Sequence, residues 1–179
     1  MAYDEMVTTF KPGNPGNKRR PATMAALAIG SDVYFSSSLK GKTNFILDTG
    51  ARKDGTSPVN PPVVEELRLA VLRCQLKYTT DHRYDAKCAE TLAIQAYINS
   101  NADASTKTQG RITTYSDVEG PKIVAPCEAD EDPTIGQWGC RLLLEDLEIT
   151  AVGENGKDPG GIPELEQGTP LKSCIWPAA

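Results

Sequence analysis

The 179-residue sequence contains no apolar run approaching the roughly 18 consecutive residues that a membrane span needs, so a bilayer is not its expected solvent. Its first residues, Met1-Ala2-Tyr3-Asp4-Glu5-Met6, begin acidic and lack a basic segment followed by an apolar one. A secretory signal is therefore not expected, and a cytoplasmic location is. No internal repeat is present, which argues against a solenoid or propeller. Aromatic residues make up only 6%, and there is a single histidine, His82. Positive charge is in deficit: 19 Lys and Arg against 24 Asp and Glu give a net charge of −5, unlike a surface built mainly to hold phosphates. The one basic cluster, Lys18-Arg19-Arg20, sits beside Pro12, Gly13, Pro15 and Gly16 and reads as part of a solvated arm. The five cysteines are odd in number and irregularly spaced. Without a secretory signal they point to metal ligands or free thiols rather than a disulfide framework.

What the chain does have is 39% hydrophobic residues, ordinary for a single domain with a real core. Residues 1–21, rich in Pro, Gly, Asn and charge, read as an extended arm. Residues 22–152 form the domain, and 153–179, again dominated by Gly, Pro and charge, a tail packed on it and pinned by Ile175 and Trp176. Thr23 to Ile29 and Val33 to Ser38 read as two strands joined at Gly30-Ser31-Asp32, with a helix from Met24 as the rival. Asn44 to Leu47 is a candidate short extended piece. Val63, Leu67, Ala70, Val71 and Cys74 recur at spacings of three and four and predict a helix over 62–77 that starts on Pro61-Pro62. A second helix is expected over 85–99, capped by Asp85, with Ala89, Leu92, Ala93, Ala96 and Tyr97 inward. Strands are expected at 111–115, 122–125 and 148–152, and a third helix from Cys140 to Leu147.

Chemistry concentrates between Ala86 and Cys140. Cys88-Ala89-Glu90 opens a helix, Pro126-Cys127 ends a strand, and Trp138-Gly139-Cys140 opens the next helix. Three cysteines from separate elements suit a zinc site with three protein ligands and an open fourth position. Helix starts at Cys88 and Cys140 favour thiolates. The formally negative cluster calls for compensation from helix dipoles or from Arg83, Lys87 or Arg141. Glu90 is placed to move protons to and from water at such a site. Cys74 falls on the apolar stripe and reads as core, and Cys174 as incidental. Taken singly, each cysteine reads more readily as a buried thiol and Glu90 as a surface carboxylate.

In this order, Cys88-Ala89-Glu90, Pro126-Cys127 and Cys140 resemble the cytidine deaminase superfamily over about Thr23 to Val152. The resemblance implies an α/β fold, a three-layer α/β/α sandwich with a mixed sheet. It also implies Zn²⁺ held by Cys88, Cys127 and Cys140, and Glu90 as proton shuttle for a zinc-bound hydroxide that attacks an amidine-like carbon and releases ammonia. Twelve residues, 128 to 139, separate the last two cysteines, more than is usual in the family, and suggest a lid. Candidate substrate-binding residues are the Ala89 backbone N–H, Asn44 and Ser36 to Ser38 by their place in the chain, His82 in the connection entering the Cys-Ala-Glu helix, and Trp138 as a stacking surface. Against substrate contact, His82 reads as a solvated loop residue and Trp138 as an anchor of the long loop. The expected partners are a small-molecule substrate and a second copy of the chain in a homo-oligomer, with no membrane. A nucleic-acid deaminase, a non-deaminating biosynthetic enzyme on the same scaffold, and a structural zinc module are the alternatives.

Overall fold

The computed structural model describes residues 21–39, 65–101, 109–116, 118, 120, 122–128 and 136–152. The arm before residue 21, the piece at 44–47 with Asn44, most of the acidic loop and the tail lie outside the described residues.

Strands β1 (Thr23–Ile29) and β2 (Asp32–Ser37) form the expected hairpin. Ile29 pairs with Asp32, so the turn is Gly30-Ser31, and Gly30 adopts the left-handed φ of 58° that the first position of such a turn favours. Helix α1 (Glu65–Tyr78) buries Leu67, Ala70, Val71 and Cys74, four of the five residues that its spacing selected, while Val63 and the expected start on Pro61-Pro62 lie outside the described residues. Helix α2 (Ala89–Ser100) starts four residues later than expected. Asp85 does not cap it: Asp85 and Ala86 both take left-handed φ values, 51° and 55°, which kink the chain, and Cys88 occupies the N-cap position. The buried surface of α2 also differs from the expected one: Ala89 and Ala93 are buried together with Glu90, Thr91, Ile94, Gln95 and Ile98, whereas Leu92, Ala96 and Tyr97 are only half-buried. Strands β3 (Arg111–Ser116) and β4 (Lys122–Val124) follow, then helix α3 (Cys140–Asp146) and a two-residue strand β5 (Thr150–Ala151).

The sheet order is β2-β1-β3-β4, antiparallel throughout, while β5 pairs parallel with the start of β3. The class is thus α/β with a mixed sheet. The helix contacts place α2 against β1, β2 and β3, and α1 against α3. On the sheet face beneath α2, the register sets two rows. Ser36, Ala25, Thr114 and Val124 form one, and Tyr34, Leu27, Ile112 and Ala151 the next. Leu27 and Ile112 are fully buried there with Ile94, Leu143, Leu144 and Leu147, each such side chain contributing about 1.5–3 kcal/mol relative to exposure. Tyr97 meets Tyr34 edge-on at 5.4 Å. Among the described residues no helix is long and apolar enough to cross a membrane.

Candidate metal centre

The N-cap position of α2, the segment after β4 and the first residue of α3 bring Cys88, Cys127 and Cys140 to one place, and the loop after α1 adds His82. The four ligand atoms lie within 4.8 Å of one another. Cys88 Sγ is 3.6 Å from Cys127 Sγ, and His82 Nε2 is 3.4 Å from Cys140 Sγ and 3.9 Å from Cys127 Sγ. Zinc–thiolate bonds of about 2.3 Å at tetrahedral angles separate sulfurs by about 3.8 Å, so the spacing of Cys88 and Cys127 and the softness of the donors fit zinc.

Local backbone contacts assemble the cluster. The Cys127 carbonyl accepts the Arg141 N–H at 3.2 Å, and its sulfur accepts the Cys140 N–H at 3.0 Å. Both contacts require the 127–128 backbone to lie directly on Gly139, where an added Cβ would stand 2.1 Å from the Cys127 oxygen. Cys140 is fully buried and its sulfur also has the Thr91 hydroxyl at 3.7 Å. Hydrogen bonds from the Cys140 and Cys88 thiols, helped by His82, lower the Cys127 thiol far below the usual thiol range. Cys88 is raised, chiefly because it donates to Cys127, and Cys140 is raised by burial and by the same partner. Three thiolates at this point therefore call for a cation.

Glu90, 4% exposed, projects from the first turn of α2 beside the sulfurs, and Thr114 Oγ1 donates to its Oε1 at 2.7 Å. Burial pushes its carboxyl above the ordinary range, and the Thr114 hydroxyl pulls it partly back. The neighbouring Ser36 hydroxyl donates to the Ala89 carbonyl. The sheet row Ser36, Ala25, Thr114 thus grips the start of α2 at two points, with the small Ala25 between them. A cavity of about 640 Å³ opens here, lined by Cys88, Cys127, Glu90 and Thr114. Thr23, Ser38 and Ser116 also line it, as do Leu39, Tyr84 and Val118, which are exposed.

Several expected roles change. Trp138 offers no stacking face to a substrate: it is fully buried, does not line the cavity, and is fixed by an Nε1 bond to the Thr80 carbonyl at 2.9 Å and by edge-on contact with His82 at 4.6 Å. His82 is not a solvated loop residue in reach of substrate. It is 2% exposed, beside Cys127 and Cys140 and outside the cavity wall. Ala89 is fully buried; as the first helical residue its N–H has no intrahelical acceptor. Lys87 pairs with Asp85 at 2.9 Å, and Arg141 with Glu128 at 2.6 Å on the surface; His82, the Cys140 N–H and the Thr91 hydroxyl approach the sulfurs. Thr114 escaped the sequence reading, and Ser36, a candidate for substrate contact by its place in the chain, is instead bonded to the Ala89 carbonyl. Thr114 was legible as a polar residue two places from Ile112, hence on the buried face of β3.

Comparison with models of known protein families, with curated proteins and with solved structures finds no match to this chain.

Proposed function

We propose that the chain is a zinc-dependent hydrolase that deaminates a small amidine-bearing molecule, with nucleobases, nucleosides and related metabolites as the leading class. The observation that carries this is Glu90, a buried carboxylate oriented by Thr114 on the wall of the same cavity that Cys88 and Cys127 line. Burying a carboxylate is unfavourable, and proteins retain such groups chiefly where they act. Cys88, Cys127 and Cys140 would hold the ion, which supplies Lewis acidity toward water and substrate. Glu90 accepts a proton from water and returns it to the leaving nitrogen, so that a C–O bond forms, a C–N bond breaks and ammonia departs. A cavity of about 640 Å³ is the size of a small-molecule site.

The test is zinc content together with ammonia release. Glu90→Gln is expected to keep fold and zinc and to lose about 10²–10⁴-fold in turnover. Cys127→Ala and Cys140→Ala are expected to lose the metal. Undiminished turnover by Glu90→Gln, or freshly prepared protein without stoichiometric zinc, overturns the proposal. One observation favours a second reading: His82 Nε2 lies close enough to the sulfurs to make a closed three-Cys, one-His set, the pattern of a structural zinc.

A further inference from the structure

We propose that His82 is a positioning residue rather than a ligand: it donates its Nε2 proton to the thiolates of Cys140 and Cys127, which leaves the fourth metal position to whatever enters the cavity. This rests on the metal centre proposed above and decides between an open and a closed site.

Distance alone does not separate the two roles. Bonds of about 2.0 Å from zinc to nitrogen and 2.3 Å to sulfur place those atoms about 3.5 Å apart; a hydrogen bond to sulfur spans a similar length, and His82 Nε2 is at 3.4 and 3.9 Å. The opposite ring nitrogen decides. Two backbone N–H groups converge on Nδ1, from Tyr84 at 3.0 Å and Ala86 at 3.1 Å. Two donors aimed at one nitrogen require a lone pair there, and a neutral imidazole with its lone pair on Nδ1 carries its proton on Nε2. A ligating Nε2 needs the reverse, with Nδ1–H donated to a carbonyl, carboxylate or water.

The tautomer is locked because the loop that supplies the donors is fixed. Asp85 N–H bonds to the His82 carbonyl and Lys87 N–H to the Tyr84 carbonyl, each at 3.0 Å. The left-handed Asp85 and Ala86 complete this turn, and such strained residues persist only where surrounding contacts over-determine them. Trp138 closes on the ring edge-on, its carbonyl accepting the Arg83 N–H at 2.8 Å. A half-turn of the ring would present carbon to the amides and to the sulfurs together, losing both sets of bonds. Cys88 and Cys127 line the cavity with Glu90, whereas His82 and Cys140 do not. Three thiolates on a divalent ion carry a net negative charge. The proton from His82 draws part of it off the sulfurs, as outer hydrogen bonds do at other metal sites.

Because His82 is the chain's single histidine, its ring signals in untagged, ¹⁵N-labelled, zinc-loaded protein are unambiguous. Long-range ¹H–¹⁵N correlation is expected to show a protonated Nε2 and a bare Nδ1. Zinc-edge X-ray absorption is expected to give three sulfurs, one light atom and no imidazole scattering. A protonated Nδ1 with imidazole scattering overturns the proposal, whatever the protein's activity. Variants add an independent readout by chelator competition. His82→Gln, which retains an N–H donor, is expected to hold zinc within a few-fold of wild type, and His82→Phe to bind about 10–100-fold more weakly. Equal loss in both, matching Cys140→Ala, marks His82 as a ligand. Absence of zinc from the wild type overturns the metal centre itself, and a zinc protein with the expected tautomer that releases no ammonia overturns only the deaminase proposal.

Discussion

Replacing Gly139 by alanine tests whether the contact between the 127–128 backbone and the start of α3 assembles the metal centre. The new Cβ would stand 2.1 Å from the Cys127 oxygen and 2.7 Å from carbonyl carbons of Cys127 and Glu128, where ordinary contacts begin at 3.4 Å. The obstacle is backbone, so no side-chain rotation relieves it, and the segment carrying Cys127 must retreat by about 1 Å. The φ of −127° at Gly139 is open to any residue, so the effect is steric and not conformational. Metal sites tolerate shifts of about 0.2 Å in ligand distance. Overpacking of this kind costs about 1–3 kcal/mol, and strain released by letting go of the ion corresponds to a roughly 5–150-fold loss of zinc affinity. Competition with a chromophoric chelator measures it. Gly30→Ala is the control, since its Cβ meets nothing within 4 Å but its φ of 58° is strained. That variant is expected to lose about 1 kcal/mol of stability with zinc affinity unchanged. A Gly139→Ala protein that binds zinc within threefold of wild type refutes the reasoning.

Thr114→Val removes the hydroxyl that holds Glu90 while keeping the volume of the side chain. A hydrogen bond to a charged group is worth about 1.5–3 kcal/mol, so ammonia release is expected to fall roughly 10–150-fold with zinc content unchanged; unaltered turnover would show that Glu90 does not depend on it. Cys74, remote from the cavity, is pushed by burial, and secondarily by Asp146, from an ordinary 9.0 to about 11. The unfolded chain then releases this proton from pH 9 and the folded chain only near 11. Its contribution is therefore intact below pH 9 and declines as pH rises toward 11, by at most about 3 kcal/mol. Urea unfolding of zinc-loaded protein across that range should fall less steeply with pH in Cys74→Ala than in wild type, and parallel curves would contradict this.

The hairpin, the α1 stripe and the placement of Cys88 and Cys140 at helix starts were legible because each depends on local pattern: a turn at Gly30, a period near 3.6, an apolar run after the cysteine. His82 and Trp138 were not. Their burial depends on a loop bent by Asp85 and Ala86, two residues with no glycine-like signal, and on a bridge between His82 and Trp138 across 56 positions of sequence. Glu90 was legible as a reactive carboxylate from its neighbours, but its hydroxyl partner required the register between β1 and β3. The third layer of the expected sandwich is not established by the packing of α1 on α3 and α2 on the sheet.

The row of Ser36, Ala25 and Thr114 makes strand pairing a proofreading device for the reactive end of α2. A one-residue slip of β3 against β1 would turn Thr114 to the opposite face, since strand side chains alternate. Cys88 and Cys140, carried by helix starts, do not share that dependence directly, whereas Cys127 follows β4, which pairs with β3. A chain trapped in the slipped alignment that still gathered its thiols would leave Glu90 without its hydroxyl. Metal content would then overcount competent molecules, and the fraction of active sites in a refolded sample would report how faithfully the strands aligned.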